Sequence, residues 1–175
     1  GAGTMGNGIA QVSAAAGVKV IMVDVNDAAV ERGIKALSGS LDRLVKKEKL
    51  SQTDKDAAVA RITGTTDYDA LKAADLVIEA ATENIELKLR ILKQIEGVVG
   101  TDVVVATNTS SISITQLAAV MSKPERFIGM HFFNPVPVMA LVELIRGLQT
   151  ADATHAAALA YVQAIGKSPI TVKNS

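Results

Sequence analysis

Several residue types that define whole classes of protein are missing or scarce in this 175-residue chain. Cysteine is absent, which excludes a disulfide framework and any thiolate metal site. Only two histidines are present, far apart in sequence, which argues against a metal centre. The formal net charge is zero, because 18 Lys and Arg balance 18 Asp and Glu. No global field therefore draws the chain to nucleic acid or to a membrane surface.

Long apolar runs are also missing, although 49% of the residues are hydrophobic. No uninterrupted run approaches the roughly 20 residues that span a bilayer, and no signal-peptide pattern is present. The chain is long enough for one domain with a sizeable core. We therefore expect a single cytoplasmic domain over residues 1–175, with no nucleic-acid or membrane partner.

What the chain does contain, at its very start, is a G-x-G-x-x-G motif, Gly1-Ala2-Gly3-Thr4-Met5-Gly6. A small, helix-compatible run leads from it to Gly17, and a β-branched strand then ends in Asp24. In a dinucleotide site the first glycine makes the turn, the second admits the pyrophosphate and the third allows close packing. An acid at Asp24 would accept hydrogen bonds from the ribose and repel a 2′-phosphate. The pattern predicts binding of NAD rather than NADP.

Hydrophobic periodicity predicts strands that alternate with helices after this motif. Strands are expected at 76–81, 103–107, 127–133, 139–145 and 170–172, and helices at 7–16, 27–45, 52–62, 85–97, 112–121 and 154–165. This order predicts a Rossmann-like, doubly wound, mainly parallel sheet with a mixed extension. The glycine motif should follow a central strand, yet Gly1 is already residue 1. We therefore expect a fragment whose first strand precedes Gly1.

A candidate general base is His131, which stands in the string His131-Phe132-Phe133-Asn134-Pro135-Val136-Pro137. Glu143 follows on the next predicted strand. Imidazole accepts protons near neutral pH, and a carboxylate partner can fix its tautomer and stabilise the imidazolium. The alternative is a buried histidine bonded to backbone, with a surface glutamate that never meets it.

Four motifs, taken together, resemble the NAD-binding domain of the 3-hydroxyacyl-CoA dehydrogenases, especially the bacterial 3-hydroxybutyryl-CoA dehydrogenases. They are the glycine motif, the string Glu79-Ala80-Ala81-Thr82-Glu83-Asn84, the string Asn108-Thr109-Ser110-Ser111, and the histidine string. The resemblance covers essentially the whole chain. It implies an NAD-dependent oxidoreductase that interconverts (S)-3-hydroxyacyl-CoA and 3-oxoacyl-CoA.

The resemblance also implies roles for single residues. It makes His131 the catalytic base, Glu143 its orienting carboxylate, and Ser110 the hydrogen-bond partner of the substrate's 3-oxygen. Without it, Ser110 reads as an ordinary helix N-cap, and Asn134 as a residue that shapes the turn before Pro135. The implied NAD-binding positions are Gly1, Gly3, Thr4, Met5, Gly6, Asp24, Glu83, Lys88, Ser110 and Asn134.

Ser40 and Lys47 match positions that contact coenzyme A in the family, and Ser110 is also expected at the substrate. Ser40 and Lys47 lie seven residues apart, on one face of the predicted helix, whose end is basic at Arg43, Lys46, Lys47 and Lys49. A solvated helix face is the alternative to a phosphate site. In the family, a mostly helical C-terminal domain follows, closes over the substrate and forms a homodimer. We expect that domain to be absent from this chain.

Two other functions remain open from the sequence. The lens protein lambda-crystallin resembles these dehydrogenases and is abundant as a structural protein, so a non-enzymatic member of the fold is one alternative. The other is a different Rossmann dehydrogenase, such as a 3-hydroxyisobutyrate or 6-phosphogluconate enzyme. Those families use a lysine base from the helical domain, so the histidine and glutamate argue against them.

Overall fold

The computed structural model describes residues 1–173, in which helices and strands alternate as the periodicity predicted. The helices are α1 (Thr4–Ala15), α2 (Asp27–Lys46), α3 (Gln52–Ala60), α4 (Ile85–Glu96), α5 (Ile114–Ala118) and α6 (Asp152–Ala164). The strands are β1 (Val20–Val23), β2 (Ile62–Thr65), β3 (Leu76–Glu79), β4 (Val104–Thr107), β5 (Phe127–Phe132), β6 (Leu141–Arg146) and β7 (Ser168–Lys173). Short 3-10 helices occupy Tyr68–Ala73 and Pro124–Arg126.

The strands form a five-stranded sheet in the order β3-β4-β5-β6-β7 and a two-stranded sheet of β1 and β2. Pairing is parallel between β3 and β4, β4 and β5, and β6 and β7, whereas β5 and β6 run antiparallel. The fold is therefore α/β with a mainly parallel sheet and a mixed extension. The predicted fold class is confirmed.

A gap separates the two sheets. Strands β1 and β3 are each hydrogen-bonded to a strand on one side only, among the residues that the structure describes. Between them lies a cavity of about 950 Å³, lined by residues of both strands and by Tyr161 of α6. The central strand expected before Gly1 would lie in this gap, and its presence stays a prediction.

Helices cover both faces of the five-stranded sheet, as its buried strands require. On one face, Ile9 of α1 and Val162 of α6 pack in a single apolar cluster with β5 and β6. On the other face, Leu92 of α4 and Leu117 of α5 pack around Phe127. No helix within residues 1–173 is both long enough and apolar enough to cross a membrane.

Several boundaries differ from the sequence prediction. The predicted helix at 52–62 ends at Ala60, and β2 follows directly, a strand that the periodicity did not predict. Gly64 inside β2 weakens the strand pattern, but a Cβ there would lie 2.3 Å from Val30, so only glycine lets α2 pack this closely. The first helix begins at Thr4, inside the glycine motif, rather than at Asn7.

The other differences lie in the second half of the chain. Helix α5 is five residues long instead of ten, since Ser113 caps it and the chain turns after Ala119. The predicted strand at 170–172 extends over Ser168–Lys173 and includes Pro169. Proline lacks the N–H donor and usually marks a strand end, but it is tolerated on an edge strand such as β7.

Candidate active site at the carboxyl edge of the sheet

The glycine motif forms a turn that opens helix α1. A Cβ on Gly6 would lie 1.9 Å from the carbonyl oxygen of Gly1, and a Cβ on Gly1 would lie 2.8 Å from the Cα of Ala81. A Cβ on Gly3, in contrast, would meet nothing within 4 Å. Gly3 is also the N-cap of α1, and no side chain caps that helix. The turn is therefore tight where the chain packs on itself and open where the helix presents its N–H groups.

Asp24 lies directly beside this turn, at the end of β1. Its Oδ2 accepts a hydrogen bond from the backbone N–H of Ala2 at 2.8 Å, and its Oδ1 accepts one from Val25 at 2.6 Å. The side chain remains partly exposed. The carboxylate is thus held next to the glycine turn by backbone donors, as the spacing predicted, and it can still reach a ligand in the turn.

Glu83 and Ser110 belong to neighbouring loops that follow the parallel strands β3 and β4. Oε2 of Glu83 accepts hydrogen bonds from Oγ1 of Thr109 at 2.8 Å and from Oγ of Ser111 at 3.0 Å. Glu83 therefore links to both neighbours of Ser110. Ser110 itself is exposed and does not cap α5, because Ser113 accepts the hydrogen bond from Gln116. The N-cap alternative for Ser110 is wrong.

His131 and Glu143 face each other across the antiparallel pair β5 and β6. The register pairs the two residues directly, and Nδ1 of His131 lies 3.0 Å from Oε1 of Glu143. Their side chains are 17% and 32% exposed. The ring of His131 also lies 4.4 Å from that of Phe133, centroid to centroid. The alternative in which the two residues never meet is excluded, and the carboxylate holds the imidazole by Nδ1, so that Nε2 is left for another group.

Asn108 and Val136 connect the histidine strand to the rest of the edge. Oδ1 of Asn108 accepts a hydrogen bond from the N–H of Phe132 at 2.8 Å, which fixes the strand end next to His131. Asn134 is exposed, in the bend that follows β5. A Cβ on Gly8 would lie 2.8 Å from Val136, so α1 packs directly on this bend. The glycine turn and the histidine strand therefore share one edge of the molecule.

Lys88 lies in an environment that the sequence pattern did not predict. Its side chain is fully buried, and its Nζ lies 2.5 Å from Oε1 of Glu79, whose side chain is 1% exposed. Nζ also donates to Oγ1 of Thr107 at 3.3 Å. The ammonium group of Lys88 is therefore not solvated. The ammonium group points into the protein, towards Glu79 and Thr107. The contact between Lys88 and the cofactor stays a prediction.

Ser40 and Lys47 lie on α2 and at its C-cap, some distance along the chain from the other predicted residues. Helix α2 packs mainly on α1, α3 and β2, whereas His131 and Glu143 stand on β5 and β6. Lys47 is exposed and Ser40 is half-buried. The structure brings these two residues to one helix, as predicted, but not next to the histidine.

Two further residues at this edge were not identified from the sequence. Nζ of Lys167 donates to the carbonyl oxygens of Val136 and Met139, each at 2.7 Å, and burial lowers the pKa of this lysine. Tyr68 lines the cavity between the sheets, and burial, followed by the charges of Asp24 and Glu79, raises its pKa. Neither residue belongs to a local motif, because each reaches the site only through the tertiary fold.

Fold and site together define a class: an α/β domain of the dinucleotide-binding type, with an imidazole–carboxylate pair on the same edge as the glycine turn. The comparison with protein families makes this specific. The family described as "3-hydroxyacyl-CoA dehydrogenase, NAD binding domain" matches residues 1–175. The chain belongs to this family. Membership confirms the predicted family, and the family's description names the predicted cofactor, NAD.

Two named relatives support the same assignment. A 3-hydroxybutyryl-CoA dehydrogenase of Bradyrhizobium diazoefficiens is 47% identical over 167 residues, which are 95% of this chain and 57% of that protein. The fatty acid oxidation complex subunit alpha of Colwellia psychrerythraea is 44% identical over 174 residues, which are 99% of this chain and 24% of that protein.

A solved structure agrees with these relatives. The crystal structure of (S)-3-hydroxybutyryl-CoA dehydrogenase PaaH1 from Ralstonia eutropha is 68% identical to this chain and superposes with a TM-score of 0.99. The match covers 100% of this chain and 62% of that one. The chain thus spans less than two thirds of the length of each of these three proteins.

Proposed function

We propose that the protein interconverts (S)-3-hydroxyacyl-CoA and 3-oxoacyl-CoA with NAD(H), with 3-hydroxybutyryl-CoA and acetoacetyl-CoA as the expected pair. The observation that carries this proposal is the contact of 3.0 Å between Nδ1 of His131 and Oε1 of Glu143. A histidine held in this way keeps Nε2 as a proton acceptor, and its partner stabilises the imidazolium that forms. This is the chemistry that oxidation of a secondary alcohol requires.

In the oxidation, the 3-hydroxyl proton passes to Nε2 of His131 while the C–O bond becomes a carbonyl. Ser110 donates a hydrogen bond to the reacting oxygen and orients it. NAD⁺ held at the glycine turn would supply the acceptor for the hydride that leaves carbon 3. Glu143 carries no proton through the step and serves to balance the imidazolium charge. Reduction of acetoacetyl-CoA follows the same route in reverse.

The residues at the glycine turn fit NAD. The space above Gly3 and the uncapped N-terminus of α1 suit a pyrophosphate, and Asp24 suits a ribose with a free 2′-hydroxyl. Glu83, which is exposed beside Ser110, suits the nicotinamide end of the cofactor. Asn134 completes that end of the site.

Coenzyme A is assigned to the face of α2 that carries Ser40 and Lys47. Arg43, Lys46, Lys47 and Lys49 are all exposed around the end of this helix, which gives the positive charge that phosphates require. Helix α2 packs mainly on α1, α3 and β2 rather than on β5, which agrees with a long coenzyme A thioester whose acyl end alone reaches the reacting groups.

The chain is assigned as one NAD-binding domain, residues 1–175, of a longer cytoplasmic protein. Supporting the upstream strand is the cavity of about 950 Å³ between β1 and β3, two strands that each have no strand partner on that side within residues 1–173. A helical domain after residue 175 would close the site and form a homodimer. Exposed apolar side chains such as Val138 and Leu148 agree with a partner surface.

The test is an assay of NADH oxidation in the full-length protein with acetoacetyl-CoA as substrate. We expect turnover with the thioester and little with free acetoacetate or other free hydroxy and keto acids. NADH binding without turnover of any thioester would favour a crystallin-like, non-enzymatic role. Turnover of free acids that survives His131→Ala would instead favour a dehydrogenase with a lysine base.

A further inference from the structure

We infer that the buried ion pair of Glu79 and Lys88 fixes the loop 80–84 and thereby positions Glu83 for the cofactor. This role deepens the proposed function and rests on it. It concerns residues that no part of the catalytic step above uses.

The pair is dry and fully connected. Glu79 is 2% exposed, and Lys88 and Thr107 are 0% exposed. Oε1 of Glu79 accepts hydrogen bonds from Nζ of Lys88 at 2.5 Å and from Oγ1 of Thr107 at 2.6 Å. Oε2 of the same carboxylate accepts a hydrogen bond from the backbone N–H of Ala81 at 2.8 Å. Both oxygens are therefore used, and each bond goes to a different part of the fold.

These bonds join four elements at one point. Glu79 ends β3, Thr107 ends β4, Lys88 lies in the first turn of α4, and Ala81 begins the loop between β3 and α4. The two strands are paired at this level, with Glu79 opposite Thr107. One carboxylate thus fixes the start of the loop to the sheet and to the helix that follows it.

The loop fixed in this way lies against the cofactor site. A Cβ on Gly1 would be 2.8 Å from the Cα of Ala81 and 2.9 Å from the oxygen of Ala80, so the loop touches the glycine turn. Two residues beyond Ala81, Glu83 accepts hydrogen bonds from Thr109 and Ser111, on either side of Ser110. A shift of Ala81 would therefore move Glu83 relative to both the glycine turn and Ser110.

Positioning by this pair can be separated from stability. Buried ion pairs are often no more stabilising than apolar residues of similar volume. An apolar pair can fill the same space, but it offers no acceptor to the N–H of Ala81. The specific contribution of Glu79 is therefore an oxygen at a fixed place, and Lys88 and Thr107 hold that oxygen there.

The experiment is a set of pair variants in the full-length protein, with the dissociation constant of NADH measured by fluorescence. The Glu79→Met/Lys88→Met pair removes both charges and the acceptor. We expect NADH binding about tenfold weaker, the loss that follows when one hydrogen bond no longer orients the loop. The Glu79→Gln/Lys88→Met pair also lacks Lys88 but keeps an oxygen for the N–H of Ala81, so it should bind NADH about tenfold more tightly than the methionine pair, and equal affinity of the two pairs would overturn the inference.

A double-mutant cycle with Glu83→Ala provides the readout that a structural role would not move. If the pair acts through Glu83, adding Glu83→Ala to the Glu79→Met/Lys88→Met pair should cost less than about twofold more. Asp24 lies at the other end of the cofactor, so the loss of NADH affinity caused by Asp24→Ala should instead multiply with the loss caused by the methionine pair. The exposed residues Glu86 and Lys93 lie on the same helix, and Glu86→Gln and Lys93→Met are the matched controls, expected to leave NADH binding unchanged.

Each outcome has one meaning. If the Glu79→Met/Lys88→Met pair binds NADH as tightly as wild type, the inference is overturned while the proposed function stands. The same holds if the losses of NADH affinity caused by the pair and by Glu83→Ala multiply fully. Absence of NADH binding in the wild-type protein defeats the proposed function instead. If the methionine pair does not fold, Thr107→Val removes one hydrogen bond to Oε1 at nearly constant volume. Its loss of NADH affinity must then be non-additive with Glu83→Ala, and additivity overturns the inference.

Discussion

Two carboxylates near the carboxyl edge of the sheet each hold a basic side chain, and the two pairs differ in their access to solvent. Glu143 and His131 are 32% and 17% exposed, and they meet at 3.0 Å across two antiparallel strands. Glu79 and Lys88 are 1% and 0% exposed, and they meet at 2.5 Å beneath a loop. A base that exchanges protons with a substrate must be reachable, whereas a pair that fixes backbone works best in a dry site.

The same comparison explains why the consequences of mutation should differ. When a solvent-accessible group is removed, water solvates its partner, so the free energy of unfolding changes little while turnover falls strongly. Removal of one buried partner leaves a charge with no solvent, so the folded state loses much. The two pairs therefore predict opposite signatures in turnover and in stability.

The largest effect is expected at the accessible pair. His131→Ala removes the proposed general base and should lower turnover by roughly 10²–10⁴-fold in the full-length protein, with NADH affinity nearly unchanged. Glu143→Gln should cause a similar loss, because the imidazolium loses its charge partner. Steady-state assays with acetoacetyl-CoA measure both variants.

The decisive control for this pair is the double variant. Residues that act as a unit are non-additive, so His131→Ala with Glu143→Gln should be little slower than either alone. Ser110→Ala should also slow turnover through the hydrogen bond it loses to the reacting oxygen. Independent, multiplying effects at His131 and Glu143 would return Glu143 to a purely structural role.

At the buried pair, mutation should lower the free energy of unfolding strongly. Lys88→Met leaves the carboxylate of Glu79 without its charge partner in a dry site and should lower the free energy of unfolding by about 3–5 kcal/mol. Lys93→Met, on the exposed side of the same helix, should change it by less than about 0.5 kcal/mol. Urea unfolding of both variants measures the difference, and equal stabilities would show that solvent reaches Glu79.

The accessible pair could be anticipated from the sequence, and the buried pair could not, for a physical reason. His131 and Glu143 are twelve residues apart on two strands joined by one short connection, so pairing them needs only a hairpin-like return. Glu79 and Thr107 are 28 residues apart and meet only because β3 and β4 are neighbours in a parallel sheet. No local sequence pattern specifies which strands are neighbours in such a sheet.

Lys88 shows the same limit within a single helix. Glu79 and Lys88 are only nine residues apart, yet the direction of the lysine side chain depends on how α4 packs against the ends of β3 and β4. Periodicity placed Leu92 and Ile95 in the core, where they are buried. A lysine between such positions reads as polar and exposed, because burial of a charge makes sense only when its partner is known.

Asp24 differs from both carboxylates, because it forms no salt bridge with a basic side chain within residues 1–173. Its carboxylate accepts hydrogen bonds from the N–H groups of Ala2 and Val25, so its charge remains available to a ligand beside the glycine turn. Asp24→Ala should weaken NADH binding by about tenfold, the value of one lost charge-assisted hydrogen bond, and should narrow the preference over NADPH. Titration of both cofactors measures this, and NADPH binding as tight as that of NADH in the wild-type protein would contradict the role given to Asp24.

The smallest effect is expected at a third pair, Arg146 and Asp152, which meet at 2.7 Å with the Asp152 side chain 96% exposed. The hydrogen bond and the charge of Arg146 hold the pKa of Asp152 below its ordinary value of 3.8. A carboxyl group whose pKa is lowered by folding contributes stability above that ordinary value, and the contribution is lost as the pH falls through the folded-state pKa. Asp152→Asn should therefore lower the melting temperature slightly at neutral pH and not at all in strong acid. Glu31→Gln, at an exposed acid on α2, is the control and should show no such convergence. If Asp152→Asn lowered the melting temperature as much as Lys88→Met does, solvent exposure would not determine how much each ion pair contributes to stability.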